Sequence, residues 1–167
     1  MKKYKKPKYW VKACKELSSK DPILKKIIKK YYKVVLFSRN DPFTTLTRSI
    51  IGQQVSVTVA DKIWIKLKEN VITEDITGLE TINPHDLLLS KIYISKIGLS
   101  QKKYNHIIEL ARFFTLNPDY GKNFSNLPDD EIIKKLIKHN GIGPWTAKMF
   151  LLFYLMIWKE PFFSVDC

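Results

Sequence analysis

The chain is poor in the residues that staple or metallate a small fold. Its 167 residues include two cysteines, Cys14 and Cys167, too few for a disulfide framework or a four-cysteine metal site. That scarcity points to a reducing compartment. Acidic side chains are also few. Sixteen Asp plus Glu against 29 Lys plus Arg leave a net charge of +13 and a pI near 9.6, which favours a polyanionic partner, nucleic acid ahead of an acidic membrane surface. The apolar run Met149 to Trp158 covers ten residues, too short to cross a bilayer and suited to a buried helix. Behind the lysines of Met1 to Lys8 no apolar stretch follows, so a secretory signal is not expected. Alternating apolar and polar residues are nearly absent as well, apart from an extended piece around Val34 to Ser38.

Helical periodicity fills the rest, and the predicted fold is all-α, one compact helical domain with short loops. Helices are predicted over 9–18, 22–33, 42–51, 55–70, 84–90, 100–115, 129–139 and 143–157. Their starts carry the expected signals: Asp21 and Asn83 ahead of a proline, Ser100 as an N-cap, and Asp129, Asp130 and Glu131 against the helix dipole. Residues 1–8 read as a basic N-terminal arm and 9–167 as the domain.

The stretch from Leu136 to Ala147 holds most of the functional information. An amphipathic helix ends in Gly141-Ile142-Gly143 and another begins at once with Pro144, Trp145 and Thr146. Two glycines allow a turn too tight for side chains. The amide groups that open the second helix form a seat for a backbone phosphate. An ordinary helix C-cap before another helix would look similar, but the longer string from Gly141 to Phe153 resembles the hairpin of helix-hairpin-helix DNA base-excision glycosylases, specifically the 3-methyladenine DNA glycosylase II family. The segment Asp41 to Val57 resembles the family block D-P-F-x-x-L-x-R-x-I-x-x-Q-Q-I/V-S, with Gly52, Gln53 and Gln54 in its turn. Ile97-Gly98-Leu99-Ser100 followed by Lys103 and Tyr104 is similar to a third family block. The resemblance covers residues 9 to 166, nearly the whole chain.

The resemblance implies an enzyme that extrudes a nucleotide from duplex DNA, plugs the gap with a wedge and stacks the base in an aromatic pocket. It gives Gln54 the wedge and Trp145 a wall of the base pocket. Met149, one helical turn on, takes another pocket position. Gln53, Gln54, Gly141, Ile142, Gly143 and Thr146 are the implied DNA-contacting set. A monovalent cation, sodium or potassium, is implied at the hairpin's main-chain carbonyls, with no other cofactor and no side-chain metal ligands. Related bifunctional enzymes place a lysine where Trp145 stands, so an indole there implies a monofunctional enzyme that uses water and leaves an abasic site. The cysteine count excludes the iron–sulfur cluster of some relatives.

The family's catalytic aspartate lies beyond the hairpin, in a segment like V-F-P-x-D-D-L-G. This chain reads Pro161-Phe162-Phe163-Ser164-Val165-Asp166-Cys167. Aligned without gaps, the catalytic position falls on Cys167; with a one-residue slip it falls on Asp166, the preferred candidate. Relatives continue for several more helices, so the domain is expected to be incomplete at its C-terminus, with apolar faces around Trp10, Ile27 and Ile28 partly uncovered. The implied function is hydrolysis of the N-glycosidic bond of alkylated purines of the 3-methyladenine type in base-excision repair. A catalytically inactive, truncated DNA-binding remnant is the alternative, and a basic helical protein-interaction module would leave the motif blocks unexplained. The expected partner of this monomer is double-stranded DNA with alkylated bases and not a membrane, and the expected location is the bacterial nucleoid or the nucleus.

Overall fold

A computed structural model describes residues 7, 9–34, 38, 41–71 and 81–156 of the chain. Among these residues there is no strand, and the helices follow the predicted order: α1 (Trp10–Lys20), α2 (Pro22–Lys30), α3 (Pro42–Ile51), α4 (Val57–Asn70), α5 (Pro84–Leu89), α6 (Ile94–Ile97), α7 (Gln101–Leu116), α8 (Asp129–Leu136) and α9 (Pro144–Phe150). A 3₁₀ turn, Phe124–Asn126, precedes α8, and a π-helical turn, Leu151–Leu155, extends α9. Neither α6 nor the 3₁₀ turn was expected, because elements of three or four residues carry no periodicity to read. Only the ends of the expected Val34–Ser38 strand, and Pro7 of the expected basic arm, lie within the described residues.

α3 is the spine. Its first turn is fixed by the Asp41 carboxylate, which accepts from the Thr44 amide, and by Pro42, whose preset φ suits a first helical position. Phe43, Leu46, Ile50 and Ile51 are fully buried, as are Thr44, Thr45 and Thr47. Two of the threonine hydroxyls are bonded: Thr45 donates to the Asp41 carbonyl, and Thr44 Oγ1 accepts from the Ile82 amide at 3.0 Å, tying the approach to α5 onto the spine. α3 packs against α4, α7 and α9, α5 packs on α7, and α8 on α9. α1 and α2 pack on each other; Val11, Ile23, Ile27 and Tyr32 are exposed, and Trp10 and Ile28 are half-buried.

An aromatic cluster joins the end of α7 to the region between α8 and α9. The rings of Phe113, Phe114, Tyr120 and Phe124 meet edge to face, with centroids 4.7–6.0 Å apart. His139, just past α8, packs on Phe113 at 4.5 Å, and its Nε2 lies 3.1 Å from the Tyr120 hydroxyl. That hydroxyl also donates to the Lys135 carbonyl, and burial pushes its pKa up to about 12. Burial likewise holds the His139 imidazole below its ordinary value, because the charged form would lose water without gaining an anion.

The linkage has a definite sign. With the folded pKa lowered, the unfolded chain takes up a proton near pH 6.5 that the folded chain refuses, so stability is lost as the pH falls below about 6.5. Thermal melts of the wild type are expected to drop over that window, and His139→Phe to flatten the curve there. An unchanged pH profile in His139→Phe would show that the proton is taken up elsewhere.

Candidate functional site

Two turns that are distant in sequence meet at one end of the bundle. The first follows α3. Gly52 caps the helix, its amide donating to the Arg48 carbonyl at 3.0 Å, and Gln54 adopts φ 56°, the left-handed region that side chains other than glycine seldom occupy. Gln54 is exposed. A strained, solvent-facing residue of this kind persists only where its surroundings hold it. Lys103 of α7 supplies part of that hold: its ammonium donates to the carbonyl oxygens of Ile51 at 2.8 Å and Gln53 at 2.6 Å. The α3 C-terminus thus gains a cation on its exposed carbonyls. Burial lowers the Lys103 pKa.

The second turn joins α8 to α9. The Ile142 amide donates to the His139 carbonyl at 3.1 Å, and Gly141 takes φ 80°. A Cβ at Gly141 would lie 2.4 Å from His106 Nδ1, so α7 presses directly on the backbone there. Gly143 differs. It is extended, and a Cβ on it would meet nothing within 4 Å. No side chain caps α9, whose opening amides therefore lack intrahelical partners in the ordinary way of helix starts.

Gln53 fastens the two turns together. Its Nε2 donates to the Gly141 carbonyl at 2.8 Å and to Thr146 Oγ1 at 3.1 Å. The side chains of Ile142 and Thr146 are buried, at 4 % and 3 % exposure. Of the implied DNA-contacting set, then, Gln54 and Gly143 face solvent, Gln53 spans between the turns, and Ile142 and Thr146 are buried in the free chain. Among the described residues no cluster of His, Cys, Asp or Glu could hold a metal. A cation at the hairpin would rest on main-chain oxygens, a donor set suited to a hard ion.

Beside these turns lies a cavity of about 210 Å³, walled by the end of α3, by α4 and by α9. Trp145 and Met149 both line it, Trp145 at 60 % exposure at the rim and Met149 buried. Trp64 of α4 forms the back wall. Arg48 reaches across to Asp61, Nη2 to Oδ1 at 2.8 Å, with its guanidinium carbon 5.1 Å from the Trp64 ring centre. Sequence reading quoted Arg48 within a motif block but gave it no role, and it missed Asp61 and Trp64. Their spacing on α4, three residues apart, puts them on one helix face, but nothing in the sequence says that this face lines a cavity together with residues of α9. Asp166 and Cys167 lie outside the described residues.

No protein-family model matches the chain. It superposes on a Schizosaccharomyces pombe 3-methyladenine DNA glycosylase in complex with abasic DNA with a TM-score of 0.67 at 24% identity, over 86% of this chain and 70% of that one. The fold is that of the DNA glycosylases. In sequence the chain is 31% identical over 159 residues to the DNA-3-methyladenine glycosylase of Saccharomyces cerevisiae, covering 84% of this chain and 51% of that protein. It is 26% identical over 146 residues to the Bacillus subtilis enzyme of the same name, covering 82% and 47%. In sequence the chain is thus similar to the DNA-3-methyladenine glycosylases, and it spans about half the length of the curated relatives it matches. No helix among the described residues is long and apolar enough to cross a membrane.

The two hairpin glycines should respond differently to substitution. Gly141→Ala is expected to cost about 2 kcal/mol or more of stability, from the positive φ and the contact with His106. Gly143→Ala should stay near wild type. Equal losses in chemical denaturation would contradict the distinction.

Proposed function

We propose that this chain is the base-recognition and DNA-binding part of a monofunctional DNA glycosylase that removes alkylated purines of the 3-methyladenine type from double-stranded DNA. The observation that carries the reading is the juxtaposition of three features at one end of the fold: the strained Gln54 turn, the open Gly143 backbone, and the cavity bearing Trp145. Each suits one demand of the chemistry. A stacked base is out of reach, so it must be swung out and its place filled; Gln54, exposed on a turn braced by Lys103 and Gln53, is the wedge. The DNA backbone must be gripped without regard to sequence; Gly143 and the first amides of α9 hold a phosphate, and a monovalent cation would sit on the hairpin carbonyls. The extruded base stacks on Trp145 above Met149.

Alkylation makes a purine cationic and a good leaving group. When the C1′–N bond breaks, its electron pair goes to the base, which departs neutral, and positive charge develops on the sugar. We assign Asp166 the carboxylate that stabilises this charge and receives a proton as water adds to C1′. Trp145 offers no amine, so no Schiff base forms and the strand is left intact. The place of action is wherever genomic DNA lies, nucleoid or nucleus, and the protein acts as a monomer.

Release of radiolabelled base from methylated duplex tests the whole reading. The expected products are free 3-methyladenine and an uncut strand with an abasic site. A covalent adduct trapped by borohydride would refute the monofunctional route, and absence of base release despite duplex binding would leave only a DNA-binding remnant. Trp145→Ala is expected to cut release far more than duplex affinity, since stacking of an unpaired base is worth about 1–3 kcal/mol. Asp166→Asn should abolish release with duplex affinity retained; activity gained in Cys167→Asp would move the catalytic role to that position. Gly143→Leu, whose Cβ would meet nothing within 4 Å in the free protein, should weaken binding to all duplex sequences alike. Unchanged affinity in that folded variant would remove the hairpin from the contact.

A further inference from the structure

The turn that carries Gln54 is held from another helix. Gln54 lies at a positive φ, where glycine would be the ordinary choice, yet the glycine of this turn stands two residues earlier, at Gly52, in the right-handed region. A side chain retained where backbone strain favours glycine points to a use for that side chain. Several bonds meet on the turn. The Gly52 and Gln53 amides donate back into α3, to the Arg48 and Ile50 carbonyls at 3.0 and 3.3 Å. The Lys103 ammonium donates to the Ile51 and Gln53 carbonyls at 2.8 and 2.6 Å. The Gln53 carbonyl belongs to the peptide that joins Gln53 to Gln54. That unit is planar, so anchoring its oxygen fixes the plane from which the φ of Gln54 departs. Lys103 is itself well placed to anchor: it is half-buried, its amide donates to the N-cap hydroxyl of Ser100 at 3.3 Å, and α7 packs on α3.

We infer that Lys103 is a positioning residue for base extrusion: its ammonium, bonded to two carbonyls at the end of α3, aims Gln54 into the space left by a displaced base, and its charge is used within the protein and not on a DNA phosphate. The inference rests on Gln54 being the wedge. It sets Lys103 apart from lysines that meet phosphates, which add salt-dependent affinity without regard to what the duplex contains. Without the ammonium, both carbonyls turn to water and the peptide before Gln54 rotates toward less strained conformations. The wedge is then correctly aimed in only a fraction of molecules, and affinity for a duplex that needs it falls by that fraction.

The test compares two duplexes of one sequence, one intact and one carrying a tetrahydrofuran abasic analogue, with affinity read by fluorescence anisotropy at several salt concentrations. The wild type should favour the abasic duplex. Lys103→Met should reduce that preference about tenfold, or about 1.4 kcal/mol, the scale of one hydrogen bond from a charged donor, while the salt dependence on intact duplex stays nearly the same. Lys103→Arg, which can donate to both carbonyls, should keep the preference. Circular dichroism checks folding, and Lys103→Gln replaces the methionine variant if that one is unstable; too short to reach both carbonyls, it should lose the preference as well. A lysine on a phosphate would instead lower the salt slope by about one unit and weaken both duplexes alike, and that result would overturn the inference. Gln54→Gly suits the positive φ but has no side chain to insert, so it should lose the preference, and adding Lys103→Met should change it no further. A further loss in the double variant would mean that Lys103 supports the fold at large, which would also overturn the inference. A preference kept in folded Lys103→Met would remove the inference alone. A wild type with no preference for the abasic duplex would remove the wedge role of Gln54 and the inference with it.

Discussion

Everything at the functional end of the fold depends on one side-chain amide. Gln53 donates from a single nitrogen to the Gly141 carbonyl and the Thr146 hydroxyl, bridging the turn after α3 to the turn before α9. Without that bridge the two turns would be joined only through the core beneath them. With it, the strained Gln54, the open Gly143 and the Trp145 rim hold a fixed relation. Lys103 completes the frame from the other side, satisfying the carbonyls that α3 leaves at its C-terminus. Hydrogen bonds of this partly buried kind contribute about 1 kcal/mol each, more when the donor is charged. Their larger effect is geometric: they decide which backbone atoms face out together.

The glycines show the same economy of parts. Gly141 is needed because the fold demands it, by its positive φ and by the His106 ring against it. Gly143 meets no such demand among the described residues, and its backbone is left open. A phosphate or a DNA backbone is the occupant that the open amides and the +13 charge favour. The cavity shows a parallel division, with apolar and aromatic walls on one hand and the Arg48–Asp61 ion pair on the other.

Much of this was legible in the sequence, for identifiable reasons. The start of α3 was readable because Asp41 and Pro42 fix it locally, and α7 because Ser100 caps it. Gln54 and Trp145 came from motif resemblance, not from periodicity. What escaped were contacts between elements far apart in sequence. For Gln53, expected at the DNA contact, nothing local indicates that its amide also reaches, 88 residues along the chain, to Gly141. Asp61 and Trp64 looked like an ordinary helix face, and only the fold puts them around one cavity with Trp145 and Met149 of α9. The end of α9 was drawn too long because a π turn and an α-helix share the same apolar run.

A double-mutant cycle on duplex affinity tests the joint most directly, using Gln53→Ala, Gly143→Leu and the pair together. If the two turns meet DNA as one surface held by Gln53, the losses will be non-additive, with a coupling of about 0.5–3 kcal/mol. Losses that simply add would mean that each turn works alone, and the idea of a single DNA-facing platform would have to be abandoned.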